Sequence, residues 1–400
     1  MMRAYNRRHF LHALGAGAGL AWAAPGLALA AADSERRFVF IIQRGAADGL
    51  ETLVPYADPD YIRLRGDIAL DTSKTIRLDD FFALHSAMKE TAGLYAAGEA
   101  LFIHAVASPY QDRSHFDGQD VLETGGAFPY AVKDGWLNRL VGQLPQQPER
   151  EAVAFSSIMP KALRGAAKAA SYAPRPIRAL NDDLLERVST MYDQDMQLHA
   201  LWSTSLETRK IAMMGSDGDA RKQNAIDLGK LAADFLLHPQ GPRIAMIETN
   251  GWDTHNAQNS RLAKGLQNLD ALIATLKDEL GSAWRNTVIL VATEFGRTAS
   301  VNGTQGTDHG TASMAMLLGG AVQGGRVLAD WPGLSSSQLY QNRDLKPTLS
   351  LDSFIASAAS ECFELDPGQL SKLLFPQGIS LPGGAGQGMK IPSLLRSAGA

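Results

Sequence analysis

The fold is predicted mainly from the segment Asn286–Gly320, NTVILVATEFGRTASVNGTQGTDHGTASMAMLLGG. It begins with an apolar, β-branched run, Thr287–Thr293, which is typical of a strand buried on both faces of a parallel sheet. A loop rich in Gly, Asn and Thr follows, and a second apolar run, Ala312–Leu318, leads back to the sheet. The sequence therefore predicts an α/β protein with a central, mostly parallel sheet flanked by helices.

Polar side chains follow this strand directly. Glu294 and Arg297 come just after it, and the loop carries Asp308 and His309. In open α/β sheets, ligands bind at the edge where the parallel strands end. Carboxylates and imidazoles are common metal ligands. We therefore predict that this stretch supplies part of a metal site.

Two further predicted strands end in the same kind of residue. RFVFIIQ (37–43) leads to Asp48 in a turn that contains Gly, and RIAMIE (243–248) leads to Asp253 and His255. An Asp-x-His sequence can place a carboxylate and an imidazole on one ion. Asp48 is either a metal-binding carboxylate or a turn and helix-capping residue. Because converging buried acids need a cation, a shared metal site is favoured.

Ser114 follows another predicted buried strand, Ala100–Val106, and begins a predicted helix as its N-cap. A hydroxyl at a helix N-terminus faces free N–H groups, so a phosphate or sulfate would bind well there. A nearby metal would also lower the pKa of that hydroxyl. Ser114 is thus either a structural cap or a catalytic nucleophile. His104, inside the strand, is predicted to be a structural core histidine.

Composition excludes several classes of protein. The 400 residues include 38 Lys and Arg against 42 Asp and Glu, a net charge of −4, without the basic stripe of a nucleic-acid-binding protein. The single cysteine, Cys362, excludes an intrachain disulfide and is predicted to be a core residue. A redox function has no cysteine pair to support it.

The N-terminal residues 1–32 are predicted to be a signal peptide rather than part of the fold. NRRHFLH (6–12) resembles a twin-arginine signal, and Ala28–Ala30 offers a cleavage site of small residues. The alternative, a membrane anchor, fits the many Gly and Ala residues less well. We expect export by the twin-arginine translocase to the periplasm or the exterior, with no stable membrane span in the mature form. Residues 33–400 are predicted to form one domain with a helical insertion at about residues 181–240.

Five motifs in sequence order resemble those of the domain of unknown function 1501 family. They are RGAADGL (44–50), DRSHFDGQD (112–120), GWDTH (251–255), TEFGRT (293–298) and GTDHG (306–310). The family is grouped with the alkaline phosphatase and sulfatase superfamily. The resemblance implies an alkaline-phosphatase-like fold with a two-metal site where the parallel strands end.

The resemblance also implies roles for the candidate residues. Asp48 and Glu294 would hold a metal that activates Ser114, and the other metal would be held by Asp253, His255 and His309. Phe295 stands where the superfamily has a histidine ligand. An alternative alignment places Asp308-His309-Gly310 on that motif and leaves the last histidine missing, so one ligand is lost either way.

One or two divalent ions are therefore expected, and the mixed ligands suit zinc, manganese or calcium. Arg297 is either an anion clamp or part of a structural ion pair. Asp308 is either a ligand or orients His309.

The sequence favours an exported metal-dependent hydrolase of phosphate or sulfate esters, or an enzyme of related group transfer, that acts on a small-molecule or polymer ester substrate. The alternative is a non-catalytic exported binding or assembly protein with at most one structural metal. Ser108-Pro109-Tyr110 does not match the motif of formylglycine sulfatases, so that mechanism is disfavoured.

Overall fold

The computed structural model describes residues 35–144, 152–172, 225–381 and 390–397. The predicted signal peptide and residues 181–224 of the predicted helical insertion lie outside these ranges. The described strands are β1 (Arg37–Arg44), β2 (Leu53–Val54), β3 (Ile76–Arg77), β4 (Ala83–Leu84), β5 (Ala100–Ala107), β6 (Ala152–Phe155), β7 (Ala170–Ser171), β8 (Ile244–Asn250), β9 (Thr287–Ala292), β10 (Ser313–Leu318), β11 (Arg326–Leu328) and β12 (Leu349–Ser350). The described α-helices are α1 (Gly49–Thr52), α2 (Tyr61–Arg65), α3 (Lys89–Ala96), α4 (His115–Thr124), α5 (Trp136–Val141), α6 (Ala225–Leu237), α7 (Gln258–Leu280), α8 (Leu351–Phe363) and α9 (Pro367–Leu374).

The main sheet has the strand order β11-β5-β10-β9-β1-β8-β6-β7, and β12 pairs with β5 beside this path. β1 is parallel to β8 and β9, and β6 is parallel to β8. β10 is antiparallel to both of its neighbours, β9 and β5. A separate small sheet has the order β2-β4-β3. The predicted α/β architecture, a mostly parallel central sheet flanked by helices, is confirmed.

The central strand β1 is buried on both faces. Phe38, Phe40 and Ile42 belong to one hydrophobic cluster, while Val39 and Ile41 belong to another on the opposite face. This alternation follows from the two-residue period of a strand. Burying each of these side chains contributes about 1.5–3 kcal/mol relative to leaving it exposed.

Helices cover both faces. Trp136 of α5 packs on Phe40 with ring centroids 5.2 Å apart, and α8 and α9 contribute apolar side chains to the same cluster. On the other face, α7 presents a row of leucines that includes Leu262, Leu266 and Leu269, and α6 packs beside it. The spacing of three and four residues puts these leucines on one side of α7.

Two residues predicted to be structural are buried as expected. His104 is fully buried, its Nε2 lies 3.0 Å from the Leu53 carbonyl oxygen, and burial lowers its pKa to about 4. Cys362 is also fully buried, and burial raises the pKa of its thiol to about 12. A thiol held in this state is a core residue and a poor nucleophile.

Candidate metal centre

The candidate metal centre lies at the edge of the sheet where its parallel strands end. β1, β5, β8 and β9 run in one direction, so their last residues meet at this edge. β10 runs the opposite way, and its first residue, Ser313, therefore lies at the same edge. Four loops therefore bring their side chains close together: those after β5, β8 and β9, and the one before β10.

Helix α4 positions the residue that follows β5. Ser114 is its N-cap with extended backbone angles, as predicted from the sequence, so His115 is the first helical residue. The helix ends at Gly125, whose positive φ of 67° closes it in the left-handed conformation. The loop before β10 is tied to the loop after β9 by a β-bridge between Arg297 and His309. His115 and His309 are thus held by backbone structure on both sides of the centre.

Three residues form a candidate metal-binding cluster, since His115, Asp253 and His309 each offer a ligand atom within 4.8 Å of the others. The Asp253 carboxylate lies between the imidazoles: its Oδ2 is 3.5 Å from His115 Nε2, and its Oδ1 is 3.3 Å from His309 Nε2. His255 adjoins the cluster. Its Nε2 is 3.0 Å from Asp253 Oδ1 and 3.0 Å from His309 Nε2.

The other ring nitrogen of each histidine faces an oxygen acceptor. His115 Nδ1 lies 2.8 Å from Glu294 Oε1, His309 Nδ1 lies 2.8 Å from the Arg113 carbonyl oxygen, and His255 Nδ1 lies 3.1 Å from Asp308 Oδ1. An ionised carboxylate or a backbone carbonyl can only accept, so each Nδ1 carries the proton. In the neutral form of such an imidazole Nε2 carries a lone pair, which is the state of a metal-binding histidine.

In this neutral form, three Nε2 lone pairs and a carboxylate converge with no N–H group between them. The Nε2 atoms of His255 and His309, both acceptors in this state, are only 3.0 Å apart. His115 Nε2 is a buried atom with no hydrogen-bond partner. Such groups repel one another unless a cation lies between them.

The spacing matches the ligand shell of a small divalent ion. Tetrahedral zinc with bonds of about 2.0–2.1 Å places its ligand atoms about 3.3 Å apart. The contacts among His309, His255 and Asp253 range from 3.0 to 3.3 Å. The donor set and the spacing therefore fit one divalent ion.

The charges around Asp253 keep it ionised. Burial alone would raise its pKa, but the hydrogen bond and the charge of Arg297 outweigh burial and lower it. Arg297 Nη1 donates to Asp253 Oδ1 at 2.6 Å, and the buried guanidinium also donates to the side chain and the carbonyl of Thr307. Arg297 is thus a buried partner of Asp253, the ion-pair alternative of the sequence analysis.

The pKa values of His115 and His309 shift in opposite directions. The hydrogen bond to Glu294 raises the pKa of His115, whereas burial lowers the pKa of His309. Glu294 is fully buried; burial favours its neutral form, but the hydrogen bonds it accepts, first from His115, lower its pKa. Its Oε1 accepts from the Gly45 N–H at 2.8 Å and from Gln119 Nε2 at 3.1 Å as well as from His115. Glu294 therefore contacts His115 from outside the candidate cluster rather than joining it.

The structure brings together only some of the six predicted metal ligands. Asp253, His255 and His309 meet, whereas Glu294 and Asp308 lie behind the histidines. Asp308 Oδ1 faces His255, not His309, and also accepts from Asn302. Their oxygens contact the Nδ1 atoms of His115 and His255, so Glu294 and Asp308 can orient these rings but do not belong to the candidate cluster.

Asp48, the remaining predicted ligand, lies elsewhere. Its Oδ2 accepts from Arg65 Nη1 at 2.5 Å and from Gln258 Nε2 at 2.7 Å, and its Oδ1 accepts from the N–H groups of Leu50 and Glu51 at the start of α1. It is the helix cap that the sequence offered as the alternative. The buried Arg65 guanidinium supplies the positive charge that was expected of a second metal, and the described residues contain one candidate metal-binding cluster.

Two neighbours shape the centre. Phe295 is buried and stacks on His115 with ring centroids 5.0 Å apart, so it forms a wall and offers no ligand. Ser114 makes no side-chain capping bond, and its backbone N–H donates to the Tyr110 hydroxyl at 2.9 Å. The Ser114 hydroxyl is therefore not committed to capping the helix.

The sequence analysis does not predict His115 as a candidate metal ligand. It assigns a possible role only to the adjacent hydroxyl of Ser114, although both residues occupy the helix start that follows a buried strand. The available signal was DRSHFDGQD itself, because the rule applied to the ends of β8 and β9 also holds for a histidine in the first turn after β5.

No helix among the described residues is both long and apolar enough to cross a membrane.

Comparison with curated protein sequences gives no match. Among solved structures, the chain is similar to the C-terminal periplasmic domain of EptC from Escherichia coli in complex with zinc, with 10% identity, 90% of this chain and 92% of that chain covered, and a TM-score of 0.41.

Two further similarities are with the alkaline phosphatase of the Antarctic bacterium TAB5 and the lipoteichoic acid synthase LtaP of Listeria monocytogenes. The first has 12% identity, covers 72% of this chain and 92% of that chain, and has a TM-score of 0.33. The second has 10% identity, covers 76% and 68%, and has a TM-score of 0.35. Similarities this distant do not identify an activity.

A family model does match most of the sequence, over residues 35–374. The chain therefore belongs to the family described as "Protein of unknown function (DUF1501)".

Proposed function

We propose that the chain is an exported metal-dependent hydrolase of phosphate or sulfate esters that uses one divalent ion. One observation carries the proposal: three histidines, each with its Nδ1 bound to an acceptor, direct their Nε2 atoms at the Asp253 carboxylate. Zinc, manganese and calcium remain the candidate ions, and the imidazole-rich set favours zinc. Export rests on the twin-arginine-like residues 6–12.

The residues of the centre have separate tasks in this proposal. A divalent ion bound there supplies Lewis acidity toward an ester oxygen. Glu294, Asp308 and the Arg113 carbonyl fix the ring orientation of the three histidines. Arg297 holds Asp253 in place and ionised.

Ser114 is the candidate nucleophile, because its hydroxyl is free of the capping bond and lies at the N-terminus of the ten-residue helix α4. Asp253 and His255 are each 41% exposed, so an ester can reach the centre from their side.

A second candidate function is a non-catalytic exported binding or assembly protein with one structural metal. Four protein donors, from His115, Asp253, His255 and His309, would complete a tetrahedral shell. A closed shell of this kind is typical of a structural site, whereas catalytic zinc keeps a position open. The Phe295 wall agrees with this alternative.

The deciding experiment combines metal content and turnover. Untagged protein is analysed by elemental mass spectrometry and assayed against phosphate and sulfate esters of p-nitrophenol. We expect about one ion per chain, lost in His309→Ala and kept in the control His238→Ala, which removes a histidine outside the cluster. We expect Ser114→Ala to keep the ion and lose turnover.

Bound metal without turnover on any ester would favour the structural alternative. Absence of metal from folded protein never exposed to a chelator would overturn both.

A further inference from the structure

A cleft lies beside the metal centre, and no role has yet been assigned to it. Its volume is about 340 Å³, near the lower end of the range of small-molecule sites. One side is formed by Phe116, Gln119, Asp120 and Glu123, which lie on one face of α4. The opposite side is formed by residues 156–161 after β6.

The cleft is linked to the metal centre through Gln119. Its Nε2 donates to Glu294 Oε1, the same oxygen that orients His115. Its Oε1 accepts from Arg44 Nη1 at 2.9 Å, and Arg44 lines the cleft. A ligand in the cleft would therefore lie one side chain away from the oxygen that positions a metal ligand.

The charged groups of the cleft balance one another. Three basic side chains, Arg44, Lys161 and Arg164, face three acidic ones, Asp120, Glu123 and Glu248. Five of the six are ion-paired, Arg44 with Glu123 and Glu248, and Lys161 with Asp120. The lining is polar but has no excess of either sign, so it suits an uncharged ligand rich in hydrogen-bonding groups.

The rim of the cleft exposes apolar side chains. Phe116 is 82% exposed, Ile158 70% and Tyr130 64%. Lys161 lies over the Tyr130 ring, 4.9 Å from its centroid, and holds that ring in position. Large apolar side chains gathered around one opening indicate a binding site.

We propose that this cleft binds the carbohydrate part of the substrate, a neutral mono- or disaccharide unit. One face of a sugar ring carries C–H groups that pack on an aromatic ring such as Phe116, while its hydroxyls bond to paired carboxylates and guanidinium groups. The assignment of this sugar to the substrate rests on the proposed hydrolase function, whereas sugar binding itself does not.

The test is titration of the metal-loaded full chain with cellobiose, maltose, lactose and chitobiose, in which binding is measured by calorimetry and by saturation-transfer NMR. We expect at least one disaccharide to bind and Phe116→Ala to weaken it at least tenfold. Phe128→Ala is the matched control: Phe128 is 58% exposed but does not line the cleft, so binding should stay within twofold. Phe116 is largely exposed, so its loss should not unfold the chain.

Absence of binding by all four sugars, or undiminished binding by Phe116→Ala, would overturn the proposal. Assaying the metal-loaded chain for ester turnover in parallel with the titration separates the two ideas. Sugar binding by a metal-loaded chain without ester turnover would leave the cleft assigned and the hydrolase function rejected. Ester turnover without sugar binding would do the reverse.

Discussion

Glu294→Gln should weaken metal binding about tenfold although the glutamine replaces no residue of the metal cluster. Glu294 Oε1 accepts from the Gly45 N–H and from Gln119, and its contact with His115 Nδ1 fixes which ring nitrogen carries the proton. A glutamine can present its amide oxygen at the same point and its amide nitrogen toward Thr293, which lies 3.0 Å from Oε2. The substitution therefore removes the charge and keeps the shape.

The expected size follows from the hydrogen bond to His115. A bond to a charged acceptor contributes about 1.5–3 kcal/mol and a neutral one about 0.5–1.5 kcal/mol. The difference, about 1–1.5 kcal/mol, corresponds to a roughly tenfold change in dissociation constant. Glu294→Ala, which also frees the ring to rotate, should lie at the upper end of the 10–100-fold range known for such partners.

The assay is competition for zinc with a chromophoric chelator at constant pH, with circular dichroism as the check of folding. Glu248→Gln is the matched control, since Glu248 also lies at the end of a strand of the sheet but pairs with Arg44. It should bind zinc within twofold of the wild type. Wild-type affinity in a folded Glu294→Gln variant would refute the claim that Glu294 orients His115.

Three further predictions concern the surroundings of the centre. Asp48→Asn should leave the metal content unchanged and lower the free energy of unfolding by about 3 kcal/mol, because it removes the negative charge that pairs with the buried Arg65. Elemental analysis measures the metal content and urea unfolding measures the free energy. Loss of metal would show that Asp48 is a ligand. Burial raises the pKa of Glu51 from 4.5 to about 8. The stability that Glu51 contributes is therefore fully present below pH 4.5 and is lost as the pH rises through 8. In urea unfolding, Glu51→Gln should have the same free energy of unfolding as the wild type at pH 4 and a higher one at pH 9, and an equal gain at both pH values would contradict this. Gly296→Ala should lower the melting temperature because its Cβ would meet the Ala312 carbonyl oxygen at 1.8 Å, whereas Gly303→Ala, with nothing within 4 Å, should not.

Much of the scaffold follows from local pattern. The apolar runs predicted as strands at 37–43, 100–106 and 243–248 correspond to β1, β5 and β8 within one or two residues at each end. The predicted N-cap at Ser114 begins α4 as expected. These features are readable because a strand buried on both faces and a helix start each leave their pattern within a few consecutive residues.

The roles of individual side chains depended on residues far away in the sequence. Asp48 follows β1 as a metal ligand would, yet Arg65, 17 residues later, and Gln258, 210 residues later, occupy its oxygens. His115 and Ser114 are adjacent, and only the position of Glu294, 179 residues from His115, selects the histidine as the oriented side chain.

Local sequence patterns are enough to predict the class of fold, the edge of the sheet at which polar residues gather, and three of the four side chains that meet there. Two further features appear only in the folded chain. β10 runs antiparallel, which places His309 beside Asp253, and the Arg65 guanidinium lies beside Asp48, where a second cation was expected. Burial is encoded by neighbouring residues, whereas the electrostatic partner of a buried charge depends on strand order and loop packing across the whole chain.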